Sequence, residues 1–156
     1  TATPADAVRA RVVPGRDDGA MSVREPDPEL VAAAREAHLQ AYCPYSHYRV
    51  GAAIRTASGS VIVGCNVENA AYPLGSCAEA GAIAAMVVAG ERDIAEIVVV
   101  TDGDEPGTPC GGCRQRIREF AGPGVGVHSV AASGAVWSTT VAELLPHSFG
   151  PEFLVD

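Results

Sequence analysis

The run Ile94–Thr101 constrains the fold more than any other segment. It places β-branched residues at 94 and from 97 through 101, with Glu96 the one charged interruption. Such a run has no polar face to offer water, so it reads as a strand covered on both sides. Cover on both sides requires helices, and the flanking sequence supplies them. Asp27-Pro28 opens one, with Asp27 as N-cap and Pro28 at the first helical position. Leu30, Ala33, Ala34, Ala37, His38 and Ala41 fall on one face of it, and Pro44 sets its limit. Val50–Thr56 and Val61–Cys65 read as strands joined by Ala57-Ser58-Gly59-Ser60. Cys77–Ala89 reads as a largely buried helix closed by Gly90, and Cys110–Phe120 as a second, shorter one. Val125–Ala131 and Ala135–Thr139 are strands around Ser133-Gly134, and Val141–Leu145 is a last helical turn before Pro146. Strands alternating with helices predict an α/β fold, with one mixed sheet and helices on both faces.

The chain of 156 residues suits one domain. Residues 1–26 show no sustained period and are set apart as an N-terminal extension, with Met21 a candidate natural start; residues 27–156 carry the fold. Apolar residues at 47% against 19% charged exclude a disordered chain. All 11 cations are arginine, against 19 acids, for a net charge of −8. No basic run exists, so a nucleic-acid partner is not expected. No segment approaches the roughly 18 apolar residues of a membrane span, and no apolar signal segment opens the chain, so neither membrane nor secretion is expected. In a reducing cytoplasm the five cysteines are metal ligands or catalytic groups before they are bridges.

Two short motifs carry chemistry: Cys77-Ala78-Glu79 and Pro109-Cys110-Gly111-Gly112-Cys113. A Cys-x-x-Cys pair at a helix start can put both sulfurs on one metal, and Cys77 at another helix start can supply a third. Helix N-termini offer free N–H groups and a positive dipole end, which favour thiolate. Three protein ligands leave one tetrahedral position for a reactive water. Taken singly, each motif has an ordinary reading. A lone Cys-x-x-Cys is also a structural zinc half-site or a redox pair. Ser76-x-x-Glu79 also fits a capping box, and Thr108-Pro109 an ordinary helix opening. The ordered combination is the signature of the zinc nucleobase deaminases.

On these motifs the chain resembles the short, three-cysteine class of cytidine deaminases, from about Leu30 to Leu154. The resemblance also runs through Tyr42–Ala53, Gly64–Ala70 and Glu143–Pro151. It implies a three-layer α/β/α fold with one mixed five-stranded sheet. It implies one Zn²⁺ held by Cys77, Cys110 and Cys113, and Glu79 as the proton shuttle. Deamination at C4 of cytosine needs a nucleophilic water, a proton at N3 and a protonated leaving amine, and one carboxylate beside the metal can serve these transfers. Asn66 and Glu68 are implied to hold the ribose hydroxyls, Tyr48 and Ala78 to contact substrate, and Phe149 to enter a neighbouring subunit's pocket. Tyr45 and Tyr72 match pocket or interface positions. A homotetramer acting on a nucleoside in pyrimidine salvage is the implied assembly and role.

Ala80 stands where the resembling proteins often carry an arginine near the thiolates. Three thiolates and Zn²⁺ sum to −1, which Arg114 or backbone N–H groups are expected to offset. Cys43 and Cys65 read as small buried hydrophobes, and the four histidines as structural or exposed. Cytidine and 2′-deoxycytidine are the expected substrates. The alternatives are a relative acting on a nucleoside antibiotic such as blasticidin S, a polynucleotide editor disfavoured by the −8 charge, and a noncatalytic zinc module disfavoured by Glu79.

Overall fold

A computed structural model describes residues 24–154. Residues 1–23 of the expected extension lie outside that range, and Arg24–Pro26 run irregularly into the first helix. The helices are α1 (Pro28–Leu39), α2 (Ala78–Val88), α3 (Gly111–Phe120) and α4 (Val141–Leu144). The strands are β1 (Val50–Thr56), β2 (Val61–Cys65), β3 (Ile94–Thr101), β4 (Gly126–Ala131) and β5 (Val136–Thr140). They form one sheet in the order β2-β1-β3-β4-β5. Only β3 and β4 pair in parallel, and α3 makes the crossover between them.

The central strand has the two-sided burial expected of it. Val98 and Val100 of β3 pack with Leu30 and Ala34 of α1 and Ala53 of β1 on one face. Ile97 and Val99 pack on the other with Ala82, Ile83 and Met86 of α2 and Ile117 of α3. The result is a three-layer α/β/α arrangement.

Two glycines fix how closely the helices lie. A Cβ on Gly51 of β1 would come within 2.2 Å of the Ala34 carbonyl oxygen of α1. A Cβ on Gly64 of β2 would come within 2.3 Å of the Ala82 backbone nitrogen and 2.5 Å of the Ala78 carbonyl oxygen. Any larger residue would lift α2 from the sheet, and α2 carries part of the site described below. Asp27 caps α1 as expected, its carboxylate accepting from the Glu29 N–H at 2.8 Å. It also pairs with Arg55 of β1 at 2.7 Å. His38, buried near the end of α1, lies 3.0 Å from Asp102 just past β3, and Asp102 also accepts from the backbone and side chain of Arg49.

The ordinary reading of Ser76 and Glu79 as a capping box does not hold. α2 begins at Ala78 with Cys77 as its N-cap, so Ser76 and Glu79 form no capping box. With the cap one residue later, Glu79 falls at the second helical position with its side chain turned inward. The capping box lies instead at α4, where Thr140 and Glu143 bond reciprocally.

Candidate active site

The loop before α2 and the loop before α3 each end in a cysteine in extended conformation, Cys77 with φ −73° and ψ 155° and Cys110 with φ −65° and ψ 164°. Each is the N-cap of its helix, so both sulfurs sit at positive dipole ends. Cys113 lies in the first turn of α3 and is fully buried. The Cys77 and Cys110 sulfurs are 3.8 Å apart, and all three sulfurs lie within 4.8 Å of one another. Four tetrahedral bonds of about 2.3 Å would hold neighbouring sulfurs about 3.8 Å apart, so the cradle matches a zinc–thiolate centre in size and donor type. Cys43 and Cys65 lie outside this cluster. Cys65 approaches the Gln40 carbonyl oxygen at 3.7 Å.

The dipole argument holds at one thiol only. The backbone N–H of Cys113 holds Cys110 below the ordinary thiol range. Burial pushes Cys77 and Cys113 up, Cys113 by far the more. Desolvation outweighs the helix dipole there, so full deprotonation of the set calls for a bound cation. The donor set fits one Zn²⁺. Glu79 stands beside Cys113, only 3% exposed, and burial raises its carboxyl above the ordinary range.

A cavity of about 410 Å³ opens onto this cluster. Cys77, Ala78, Glu79 and Cys110 form its floor, while Tyr48, Asn66 and Glu68 line its sides. The structure thus gathers all the expected substrate residues except Phe149. That ring is 55% exposed, stacks on Phe153 at 5.3 Å and does not line this cavity. Asn66 is engaged with its own chain: its carbonyl oxygen accepts from the Val50 N–H at 2.8 Å and its amide donates to the Tyr48 carbonyl at 2.9 Å. Glu68 accepts from the Tyr45 N–H at 2.9 Å and from the Ser46 hydroxyl. An ionised carboxylate retains acceptor capacity beyond these bonds. A second cavity of about 360 Å³ adjoins the first through Glu68, Tyr72 and Gly75, and Tyr45 meets Tyr72 there edge-on. Neither cavity is lined by arginine or histidine.

Two features were missed from the sequence, and one expectation is corrected. Ser46 orders Glu68, an interaction across 22 positions that no motif spacing displays. Gly107 makes room for the Tyr48 hydroxyl, which would come within 2.6 Å of any Cβ there. Arg114 is not turned to the thiolates as expected: it donates to the Pro109 carbonyl at 2.8 Å, the Leu144 carbonyl at 3.0 Å and the Thr108 hydroxyl at 3.3 Å.

Residues 24–129 match the model of the cytidine and deoxycytidylate deaminase zinc-binding region. A cytidine deaminase of Sporosarcina psychrophila is 42% identical over 126 residues, which cover 81% of this chain and 93% of that protein. One from Halalkalibacterium halodurans is 42% identical over 127 residues, covering 81% and 96%. The crystal structure of cytidine deaminase from Burkholderia pseudomallei superposes with a TM-score of 0.76 at 42% identity, over 80% of this chain and all of that one.

Proposed function

Since the chain belongs to the cytidine and deoxycytidylate deaminase family, we propose that it hydrolyses cytidine and 2′-deoxycytidine to uridine and 2′-deoxyuridine, releasing ammonia. The observation that carries this reading is a buried carboxylate, Glu79, beside a three-thiolate cluster at the floor of a nucleoside-sized cavity. Cys77, Cys110 and Cys113 hold the metal. When bound, Zn²⁺ supplies the Lewis acidity that makes water nucleophilic at neutral pH. Glu79 takes the proton of the attacking water and gives it to N3 as C4 becomes tetrahedral. It then carries the proton of the new C4 hydroxyl to the departing amino nitrogen; the C4–N bond breaks, ammonia leaves and C4 gains the carbonyl of the uridine product. A carboxyl raised by burial is suited to hold a proton between these transfers.

Tyr48 offers a flat face to the base, and Asn66 orders the Tyr48–Val50 segment that carries it. Glu68 accepts from a ribose hydroxyl. A cavity without arginine or histidine, with Glu68 on its wall, disfavours a phosphate, so the substrate is a nucleoside rather than a nucleotide. Phe149 completes the pocket of another copy in a homotetramer, and the enzyme serves pyrimidine salvage in the cytoplasm. Residues 27–156 form the working domain, with 1–26 an extension to it. Nucleic acid is not a partner. Among the described residues no helix is long and apolar enough to cross a membrane.

The test is ammonia release from cytidine, 2′-deoxycytidine, cytidine monophosphate and blasticidin S, with zinc measured per chain. Turnover of the first two with one zinc per chain is expected. Turnover of blasticidin S alone would move the substrate to the antibiotic class. No ammonia from any of the four, with zinc bound, would favour a binding module.

A further inference from the structure

The surplus charge of the metal centre points to a residue that the reaction scheme leaves unused. This inference rests on the reading that Cys77, Cys110 and Cys113 hold Zn²⁺. Three thiolates and one Zn²⁺ sum to −1 in a partly buried site, and Glu79 adds a further acid in the first turn of α2. Ala80 brings no charge, and Arg114 is turned to carbonyl oxygens. Arg116 is oriented differently. It lies on α3 three residues after Cys113 and four after Gly112, so its side chain leans back toward the start of the helix. The space that a Cβ would take on Gly112 is 3.0 Å from Arg116 Nη1. The guanidinium therefore lies over the first turn of α3, the turn that Cys110 caps and Cys113 belongs to. Gly112, with no side chain, leaves that lane open. Among the described residues Arg116 enters no ion pair that would spend its charge elsewhere.

We propose that Arg116 is a positioning residue of the metal centre, supplying the positive charge that offsets the three-thiolate set and sustains its affinity for zinc at neutral pH. A centre of three thiolates and one Zn²⁺ is anionic once loaded. A nearby cation therefore favours loading. At an effective dielectric constant near 20, a nearby unit charge on an exposed side chain such as Arg116 changes such an equilibrium by roughly tenfold once solvent screening is allowed for.

The experiment is competition for Zn²⁺ between the protein and a chelator of known affinity, at pH 7 and low salt, for the parent, Arg116→Gln and Arg116→Lys. Arg116→Gln should bind zinc about tenfold more weakly, and Arg116→Lys within about threefold of the parent. The difference should narrow at high salt, and the melting temperatures of the metal-free proteins should coincide. An Arg116→Gln variant with parental affinity overturns the proposal. Equal losses in the Gln and Lys variants overturn it as well, because packing and not charge would then be the cause. A parent that binds no zinc overturns the zinc reading itself, which keeps the two failures distinct.

Discussion

Glu79 and His128 are both buried ionisable side chains, and their surroundings assign them opposite uses. Glu79 faces the cavity and the thiolates, with its proton affinity raised by burial. Its replacement by Gln keeps volume and removes the proton carrier. Glu79→Gln should retain zinc and melting temperature while losing at least about 10²–10⁴-fold in turnover. Retained turnover with lowered stability would reassign Glu79 to a structural role. His128, only 2% exposed on β4, faces away from the chemistry. Its Nδ1 is 2.7 Å from the Ser138 hydroxyl, its Nε2 is 3.4 Å from Glu96, and burial holds its pKa below the ordinary 6.5. The unfolded chain takes up a proton near pH 6.5 that the folded chain refuses until lower pH. Stability therefore falls as pH drops below about 6.5, and this contribution levels off below the folded value. The melting temperature should decline from pH 7.5 to 5, with a smaller slope in His128→Gln. An unchanged slope would count against His128 as a source.

At the scale of elements, the close seating of α2 on β2 governs the metal cradle, because Cys77 is the cap of that helix. Gly64→Ala places a methyl against the backbone of Ala78 and Ala82, which cannot rotate away. It should cost about 3 kcal/mol or more and weaken zinc binding along with stability. Calorimetry and metal analysis of the one variant check both, and a wild-type melting temperature would show that the backbones yield. Strands and helices were legible in the sequence because periodicity and turn residues are local signals. Gly90, expected to close α2, follows its cap with φ +86°. The order β2-β1-β3-β4-β5 was not legible, since pairing depends on contacts distant in the chain. The cluster of Cys77, Cys110 and Cys113 was legible because motif spacing and helix starts are both local. The roles of Ser46, Gly107 and Arg116 were not, because each depends on where a side chain is aimed after folding. The Ser76–Glu79 box failed for a related reason: two helix registers one residue apart fit the same letters, and packing on the sheet selects between them.

At the scale of the whole molecule, the described chain leaves apolar surface that it does not itself cover. Val88 at the end of α2 is 89% exposed, and Phe149, Phe153 and Leu154 are exposed together near the C-terminus. The homotetramer proposed above would cover these surfaces and bring Phe149 to another copy's cavity. Light scattering and activity measured along a dilution series should fall together, with zinc still bound in the dissociated chains. Phe149→Ala should raise KM with zinc content unchanged, since its ring would contribute packing and no ligand. A fully active monomer would overturn both expectations. Removal of zinc should matter beyond catalysis. With free zinc about a hundredfold above its dissociation constant, binding adds about 2.7 kcal/mol, so a chelator should lower the melting temperature by about 5–10 °C.

The proposed ligands sit on either side of β3 in the chain, so a metal bound by them would close a loop from Cys77 to Cys110 that encloses the central strand. It acts in this respect as a reversible cross-link. The unfolded chain offers no preformed cradle, so opening that loop releases the ion, and its binding free energy is forfeited as the chain unfolds. The folded lifetime of the protein then follows the free zinc concentration around it, and a copy starved of metal is exposed to proteolysis as well as silent.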